Sequence, residues 1–304
     1  MEDRMQRRLE GKVAVITGTG DGMGRTAALR FCAEGARVVG CDINDETAAE
    51  TLRLVREAGG EMECLYPLDL SDEAETHRLM MYAADRYGGI DILYNNAYAQ
   101  RLGAPEHMTL EDFSFTITNT LTISWLASKH AIPHLRRRGG GSIIFISSVS
   151  GQNFGSGFPG NSPILFSYAA AKAGINRLAT CLAVELAQHE IRVNTVSPAW
   201  ISTPITMNLA QEEGAEPYRV ATDTLLVERL GRSEDIVEAA LFLCTPEAKY
   251  IFGANLNVDG GQAACGGLGG PDPRVAQILQ SVAGEWVSID DGWSSSAVKS
   301  RDMG

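Results

Sequence analysis

A tyrosine and a lysine four positions apart, Tyr168 and Lys172, have types and spacing that indicate proton chemistry. On a helix, positions i and i+4 share one face, so the two side chains lie side by side. A free tyrosine has a pKa near ~10 and is a poor base at neutral pH, whereas a fixed ammonium nearby favours the phenolate. The pair therefore predicts acid–base catalysis, although Tyr-x-x-x-Lys alone is also a common surface pair.

A glycine-rich turn is the second candidate. Residues 17–24 read Thr-Gly-Thr-Gly-Asp-Gly-Met-Gly, with the spacing Gly18-x-x-x-Gly22-x-Gly24. The strict Gly-x-Gly-x-x-Gly fingerprint is not met, because Met23 falls where the third glycine would be. Glycines allow a tight turn, let the backbone approach a pyrophosphate and bring a helix N-terminus against it. The turn predicts a dinucleotide site, and a plain strand–helix turn is the alternative.

An acidic residue, Asp42, ends the next predicted strand, 24 residues after Gly18. A carboxylate about 20 residues after the first glycine accepts hydrogen bonds from the adenosine ribose, and it repels a 2′-phosphate. Asp21 adds a second negative charge and Ile43 adds no positive one. The sequence therefore predicts NAD rather than NADP as cofactor. The alternative is that Asp42 only starts a turn with Asn44.

The elements that must position these residues alternate along the chain. Strand–helix alternation is typical of a parallel sheet with helices on both faces, and right-handed crossovers make such a sheet doubly wound. Ligands bind beyond the carboxyl ends of its strands, where both the glycine turn and Asp42 fall. The predicted strands are 13–17, 37–41, 62–67, 90–94, 142–147, 191–196 and 255–258. The predicted helices are 22–34, 46–57, 73–87, 110–138, 168–189 and 234–243, and Pro133 is the expected site of a kink in the helix 110–138.

Composition bounds the class of protein. The chain has 304 residues, of which 44% are hydrophobic, enough for a sizeable core. A net charge of −12 disfavours nucleic acid or an anionic membrane as a partner. Residues 1–9 have no apolar core, so we expect no secretory signal, and no stretch reaches the ~18 consecutive apolar residues that a membrane span needs. The six cysteines form no metal or disulfide pattern. We expect a cytoplasmic protein without a metal, in which His130 and His134 belong to a solvated helix face.

A strand ending in hydroxyls, Ile143-Ile-Phe-Ile-Ser-Ser148, precedes the tyrosine–lysine pair. With it, the motifs follow one another in the order of the classical short-chain dehydrogenase/reductase family, which the chain resembles over about residues 10–261. The segment Thr17-Gly-x-x-x-Gly-x-Gly24 resembles the family's cofactor motif, Asp69-Leu70 its adenine contact and Asn95-Asn96-Ala97 its Asn-Asn-Ala-Gly motif. The catalytic tetrad is matched by Asn119, Ser148, Tyr168 and Lys172. The end of the last strand is matched by Asp259-Gly-Gly261.

The resemblance implies a Rossmann-type fold and an NAD-dependent oxidoreductase that moves a hydride between a secondary alcohol and a ketone. Tyr168 would exchange a proton with the substrate oxygen, which Ser148 orients, with Ser147 as the less favoured serine. Lys172 would bind the nicotinamide ribose and, with the cationic nicotinamide, lower the pKa of Tyr168. Asn119 would hold a relay water. The implied cofactor contacts are Gly18, Asp21, Gly22, Met23, Gly24, Asp42, Ile43, Asp69, Leu70, Asn95, Ala97, Tyr168, Lys172, Pro198, Ile201 and Thr203.

Two departures from the family pattern concern the substrate side. Tyr98 replaces the glycine of Asn-Asn-Ala-Gly, where it either lines the pocket or only packs. The gap of 20 residues between Ser148 and Tyr168 is longer than usual. Aromatic residues of segment 149–167, together with Tyr98, Trp200 and the Met207 region, either build an apolar pocket for a steroid, terpenoid or cyclic alcohol or pack the loop onto the body. The aromatic residues of the segment are Phe154, Phe158 and Phe166.

Three other activities are alternatives to this one. A dihydrodiol dehydrogenase is the alternative within the enzyme class. An enoyl reductase is disfavoured, because that branch spaces its tyrosine and lysine more widely. A non-catalytic NAD-sensing scaffold is disfavoured, because the tetrad is unbroken.

We expect one domain over residues 1–261 and a partly flexible C-terminal extension, 262–304. The extension carries an apolar stripe at helical spacing: Val275, Ile278, Leu279, Val282 and Trp286. This pattern predicts an amphipathic helix that covers either a neighbouring subunit's substrate cleft or its own subunit. A homotetramer is implied by the resemblance alone.

Overall fold

Within the part of the chain that this computed structural model describes, seven strands and eight α-helices alternate as the sequence predicts. The strands are β1 Val13–Thr17, β2 Arg37–Cys41, β3 Glu61–Leu65, β4 Ile92–Asn95, β5 Gly141–Ile146, β6 Ile191–Pro198 and β7 Asn255–Val258. The helices are α1 Gly22–Ala33, α2 Asp45–Glu57, α3 Glu73–Tyr87, α4 Leu110–Ile117, α5 Ile123–Arg137, α6 Phe166–Leu186, α7 Glu216–Thr222 and α8 Ser233–Cys244. The structure describes residues 7–152, 165–204, 206–207, 216–227 and 229–264. The sequence-based interpretations of Phe154, Phe158 and the stripe in the extension lie outside these ranges.

All seven strands form one sheet in the order β3-β2-β1-β4-β5-β6-β7, and every neighbouring pair is parallel. The order reverses direction between β1 and β4, because the chain first builds outward to β3 and then returns. This is the doubly wound Rossmann-type topology that the alternation predicts. The reversal opens a crevice beyond the carboxyl ends of the strands.

The sheet is buried on both faces, which makes a three-layer domain. On β1, Val13 and Val15 pack into one apolar cluster, whereas Ala14 and Ile16 pack into the other. This alternation follows from the period of two along a strand. The first cluster is completed by side chains of α3, α5 and α6, and the second by side chains of α1, α2 and α8. The continuous apolar runs therefore mark strands covered on both sides.

The predicted helix over 110–138 is two helices, α4 and α5, joined by a π-helical segment, Thr118–Thr122. The predicted site of a kink was Pro133, but this residue lies inside α5, which continues through it. The break occurs instead at the segment that carries Asn119. Single π turns inside helices occur often at functional sites. Helix α7 was not predicted, and the fourth strand is Ile92–Asn95 rather than 90–94.

No helix among the described residues is both long and apolar enough to cross a membrane. Within the same residues, no group of three or more histidine, cysteine or acidic side chains is arranged to hold a metal ion. His130 bonds the ring of His77 at 3.2 Å and Glu73 at 3.0 Å. His134 is only 4% exposed, so the expectation of a solvated helix face was wrong for this residue.

Candidate active site

A cleft of about 650 Å³ lies beyond the carboxyl ends of β1, β2, β3 and β4. It follows the topological reversal of the sheet, where open α/β sheets bind ligands. Ten of the sixteen predicted cofactor contacts line it: Gly18, Asp21, Gly22, Met23, Asp42, Ile43, Asp69, Leu70, Ala97 and Thr203. Asn119 of the predicted tetrad lines it too, with Tyr98, Ala99, Phe115 and Ile123.

The glycine turn brings bare backbone to the cleft wall. Gly18 has φ +69° and Gly22 has φ +47°, in the left-handed region that favours glycine. Gly24 lets helix α1 approach the turn, since a Cβ there would lie 1.8 Å from the carbonyl oxygen of Gly18. The N-cap residue of α1, Asp21, makes no side-chain capping bond, and the first turn of the helix has no acidic residue. The turn thus has the open backbone and the helix terminus that a pyrophosphate needs.

The carboxylate of Asp42 is fixed at the end of β2. It accepts the backbone N–H of Gly20 at 2.7 Å and that of Asn44 at 2.9 Å. A Cβ on Gly20 would lie 2.8 Å from the same carboxylate. The turn with Asn44 is therefore present, but it does not remove Asp42 from the cleft, which the residue lines beside Ile43. The glycine turn and this acid are bonded directly to each other.

The Asn-Asn-Ala segment divides its side chains between the core and the cleft. Asn95 is 4% exposed and its amide donates to Ser128 at 3.4 Å, away from the cleft. Asn96 lines the cleft and its amide donates to the carbonyls of Thr17 and Gly18 at 3.1 and 3.0 Å. Sequence reasoning selected Asn95 and Ala97 and passed over Asn96. The alternation of side chains along β4 is the signal that could have found it.

The two serines that end the fifth predicted strand have different surroundings. Ser147 is buried and its hydroxyl donates to the backbone carbonyl of Lys172 at 3.1 Å. Ser148 shares a side-chain hydrogen bond with Tyr168. Gly151 lets the turn after Ser148 approach helix α6 closely, because a Cβ there would lie 2.6 Å from the backbone carbonyl carbon of Lys172. Asn176 holds the same turn by donating to the Gly151 carbonyl at 3.0 Å.

Lys172 is 2% exposed, and its ammonium donates to the carbonyl oxygen of Ile146 at 2.8 Å. The same nitrogen lies 4.9 Å from the ring centroid of Tyr98 and 5.4 Å from that of Tyr168. The two rings are 5.7 Å apart at a tilt of 49°. Tyr98 therefore lines the cleft and also covers the tyrosine–lysine pair. Burial lowers the pKa of Lys172 to about 7.

The chain's own residues by themselves raise the pKa of Tyr168. Burial raises it well above the ordinary range, the neighbouring Tyr98 adds to the rise, and the hydrogen bond with Ser148 opposes it. Removal from water disfavours the charged phenolate, and this effect is larger than that of any described neighbour. The described residues hold Tyr168 as a neutral phenol, which can donate a proton to an oxygen.

Asn119 lies in the π turn at the cleft wall. The side-chain amide of Asn119 donates to the backbone carbonyl of Phe115 at 3.0 Å. The backbone carbonyl of Asn119 accepts the N–H of Ala99 at 2.9 Å. The hydroxyl of Thr120 donates to the Ala99 carbonyl at 3.0 Å. These bonds tie the π turn to the segment that carries Tyr98. They also occupy the Asn119 carbonyl with a backbone partner.

The remaining predicted contacts belong to the segment after β6. Pro198 ends the strand and Ile201 is 5% exposed and packed in the core, so neither lines the cleft. Thr203 does line it, and its methyl group lies 3.3 Å from the position of a Cβ on Gly22. This segment therefore closes over the glycine turn through Thr203.

The residues present fit a nicotinamide dinucleotide. The cleft offers bare glycine backbone and a helix N-terminus for the phosphates, the Asp42 carboxylate for the adenosine ribose, and Lys172 and Tyr168 near its other end. A carboxylate at the ribose position can accept hydrogen bonds from the ribose hydroxyls.

Comparison with known proteins agrees with this arrangement. A family model described as Enoyl-(Acyl carrier protein) reductase matches residues 18–263. The 2,5-dichloro-2,5-cyclohexadiene-1,4-diol dehydrogenase LinX of Sphingobium indicum is 38% identical over 259 residues, which cover 84% of this chain and 98% of LinX. The 7alpha-hydroxysteroid dehydrogenase of Escherichia coli is 33% identical over 256 residues, covering 84% and 95%.

A solved structure of 7 alpha-hydroxysteroid dehydrogenase complexed with NADH and 7-oxo glycochenodeoxycholic acid superposes with a TM-score of 0.76 at 31% identity. The match covers 86% of this chain and 98% of that one. Fold, motif order and relatives agree, and the chain belongs to the short-chain dehydrogenase/reductase family of oxidoreductases.

Proposed function

We propose that the protein is an NAD-dependent oxidoreductase that interconverts a secondary alcohol and a ketone on a hydrophobic cyclic substrate. The observation that carries the proposal is the meeting of Ser148, Tyr168 and Lys172 behind a cleft whose far end holds Asp42. A bound nicotinamide would supply hydride transfer to or from the substrate carbon.

The chain's own residues would manage the proton and the orientation. Tyr168, held neutral by burial, would donate its proton to the ketone oxygen, and Ser148 would hydrogen-bond the same oxygen and fix its position. The Lys172 ammonium would stabilise the phenolate that remains after this transfer, and a proton from solvent would then restore the phenol. In the direction of alcohol oxidation, these groups would act in reverse.

The substrate class rests on the apolar lining and on the named relatives. At the end of the cleft near Tyr98 the wall also contains Phe115 and Ile123. One relative is named as a steroid dehydrogenase and another as a dehydrogenase of a chlorinated cyclohexadiene diol. The second name favours a dihydrodiol as the alternative substrate, and the cyclic skeleton is common to both.

The test is NADH formation with a panel of sterols, monocyclic alcohols and cyclic dihydrodiols. We expect turnover of at least one cyclic member, and loss of nearly all of it in Tyr168→Phe while NADH affinity stays within a few-fold. Tyr82→Phe is the matched control, because Tyr82 lies on the outer side of α3 and is 38% exposed. Turnover in Tyr168→Phe within tenfold of the parent would refute the assignment.

We also propose that the protein is a homotetramer. Support comes from apolar side chains that remain exposed on α5 and α6: Trp125 is 44% and Val184 is 83% exposed. Light scattering at micromolar concentration should give the mass of four chains, and a monomer mass would contradict the proposal.

A further inference from the structure

Tyr98 stands where the family pattern has glycine, and the structure gives its ring two partners. The ring is 4.9 Å from the Lys172 ammonium and 5.7 Å from the Tyr168 ring. Tyr98 also forms part of the cleft wall, whereas Tyr168 and Lys172 do not. A glycine at this position would leave the pair facing the cleft directly.

The ammonium of Lys172 has three donors, and among the described residues one of them has an assigned acceptor, the Ile146 carbonyl at 2.8 Å. The faces of Tyr98 and Tyr168 lie next to the nitrogen. Aromatic faces attract a cation within about 6 Å, and more strongly where water is excluded. The Tyr98 ring thus contacts the Lys172 ammonium and also separates this ammonium from the cleft.

The groups around Lys172 come from each element packed against it. The side-chain nitrogen is next to the Ile146 carbonyl of β5, the Tyr168 ring of α6 and the Tyr98 ring from the loop after β4. The Ser147 hydroxyl and the turn at Gly151 meet the Lys172 backbone. In the described part of the chain, burial is the cause of the lowered Lys172 pKa, and no carboxylate contributes. Burial and the proximity of Asp21 raise the pKa of Tyr98, so its ring faces the ammonium as a neutral phenol.

We propose that Tyr98 is a positioning residue for the proton-transfer pair: its ring face holds the Lys172 ammonium beside Tyr168 and takes the place of solvent there. The proposal rests on the proposed function for its consequence in catalysis, but not for the contact itself. Two opposing effects follow. The ring face favours the charged form of Lys172, and the exclusion of water favours the neutral form.

Three substitutions separate these effects. Tyr98→Phe keeps the ring face and removes only the hydroxyl. Tyr98→Leu keeps an apolar side chain over the pair but removes the ring face, so the Lys172 pKa should fall by roughly half to one unit. Tyr98→Gly admits water, so the pKa should rise toward the ordinary lysine value.

The first measurement needs neither substrate nor cofactor. Each variant is labelled with acetic anhydride across a pH series, and the labelling of Lys172 is read by peptide mass spectrometry. The sequence has five lysines, and the exposed Lys12, Lys129 and Lys249 serve as internal references. We expect the Lys172 midpoint near 7 in the parent and in Tyr98→Phe, lower in Tyr98→Leu and higher in Tyr98→Gly. Equal midpoints for the Phe and Leu variants would overturn the proposal.

The second measurement uses a substrate from the panel above. At pH 8, about one unit above the parent midpoint, kcat should fall roughly threefold to tenfold in Tyr98→Leu, following the shift in the charged fraction of Lys172, and stay within twofold of the parent in Tyr98→Phe. A merely structural role would lower kcat in Tyr98→Leu without moving the labelling midpoint. Expected labelling without turnover in the parent would refute the proposed function and leave the contact of Tyr98 with Lys172 established.

Discussion

Burial sets the chemistry of the central residues more than any single neighbour does. The pKa of Tyr168 rises and that of Lys172 falls, and in both cases the main cause is removal from water. A buried lysine near neutrality can exchange its proton at physiological pH, as a catalytic lysine must. The same burial means that the folded protein gives up stability to keep this group inside.

The pH dependence of stability should reveal that cost. Between pH 7 and the ordinary lysine pKa near ~10.4, the unfolded chain keeps the proton of Lys172 and the folded chain does not, so stability rises with pH in this window. The destabilisation is fully present below about pH 7. Lys172→Met removes it, so the variant should gain up to a few kcal/mol relative to the parent at pH 6.5 and lose that gain toward pH 10.

Denaturant titrations of both proteins at the two pH values measure this difference. Lys129→Met, at an exposed position of α5, is the control and should show the same difference at each pH. The variant at Lys172 should also lose turnover. A gain that stays constant with pH would contradict burial of the charge.

The cofactor preference is a second property of single residues. Because the Asp42 carboxylate lies in the cleft and is fixed by the N–H of Gly20, it should repel a 2′-phosphate. We expect kcat/KM to favour NAD over NADP strongly, and Asp42→Ala to reduce this ratio at least tenfold. Asp45→Ala, three positions on and outside the cleft, should leave the ratio unchanged. Equal use of the two cofactors by the parent would disprove the role of Asp42.

At the scale of elements, the ends of strands and helices build the site. The glycine turn joins β1 to α1, Asp42 ends β2, Asn96 and Tyr98 follow β4, and the π turn between α4 and α5 presents Asn119. The turn between β1 and α1 has the least room, because a Cβ at Gly24 would overlap the Gly18 carbonyl.

Gly24→Ala should therefore push α1 away from the turn and reduce NADH affinity more than tenfold, with a loss of stability of about 1–3 kcal/mol. Gly103→Ala is the matched control, since a Cβ there would meet Met108 at an ordinary 3.4 Å. NADH titration by fluorescence and thermal unfolding of both variants give the comparison. Unchanged NADH affinity in Gly24→Ala would show that the turn does not contact the cofactor.

For the molecule as a whole, the end of the core and the segment after α7 are packed together. The backbone N–H of Leu226 donates to the Gly260 carbonyl at 2.7 Å, and the Gln262 amide donates to Thr224 at 2.9 Å. A Cβ on Gly261 would lie 2.5 Å from Leu226. The turn that ends the core is thus packed directly on the segment after α7, and the C-terminal extension starts from this point.

Deletion of residues 266–304 should therefore raise KM for the substrate more than KM for NAD and leave the fold intact. The physical reason is that the apolar stripe of the extension needs a surface to cover. The extension also starts at a turn that is packed on the segment after α7. Steady-state kinetics and circular dichroism of the full chain and the deletion provide the comparison. Unchanged KM for both ligands would remove any functional role of the extension.

The layered α/β fold, the strand positions within a few residues and the family could all be predicted from the sequence. The reason is that the apolar periodicities and the ordered motifs are local properties of the chain. The sequence also placed Asp42 and the glycine turn at one end of the sheet. These properties need no knowledge of which side chains meet across the fold.

The remaining features of the site could be read only from the folded structure. It gave Ser147 and Ser148 different hydrogen-bond partners, and likewise Asn95 and Asn96. It also placed the break in the long predicted helix at a π turn rather than at Pro133. It also showed that burial among the chain's own residues raises the pKa of Tyr168, and it placed the Tyr98 ring next to the Lys172 ammonium. Contacts and exclusion of water depend on residues distant along the chain, and spacing within a motif carries no information about them.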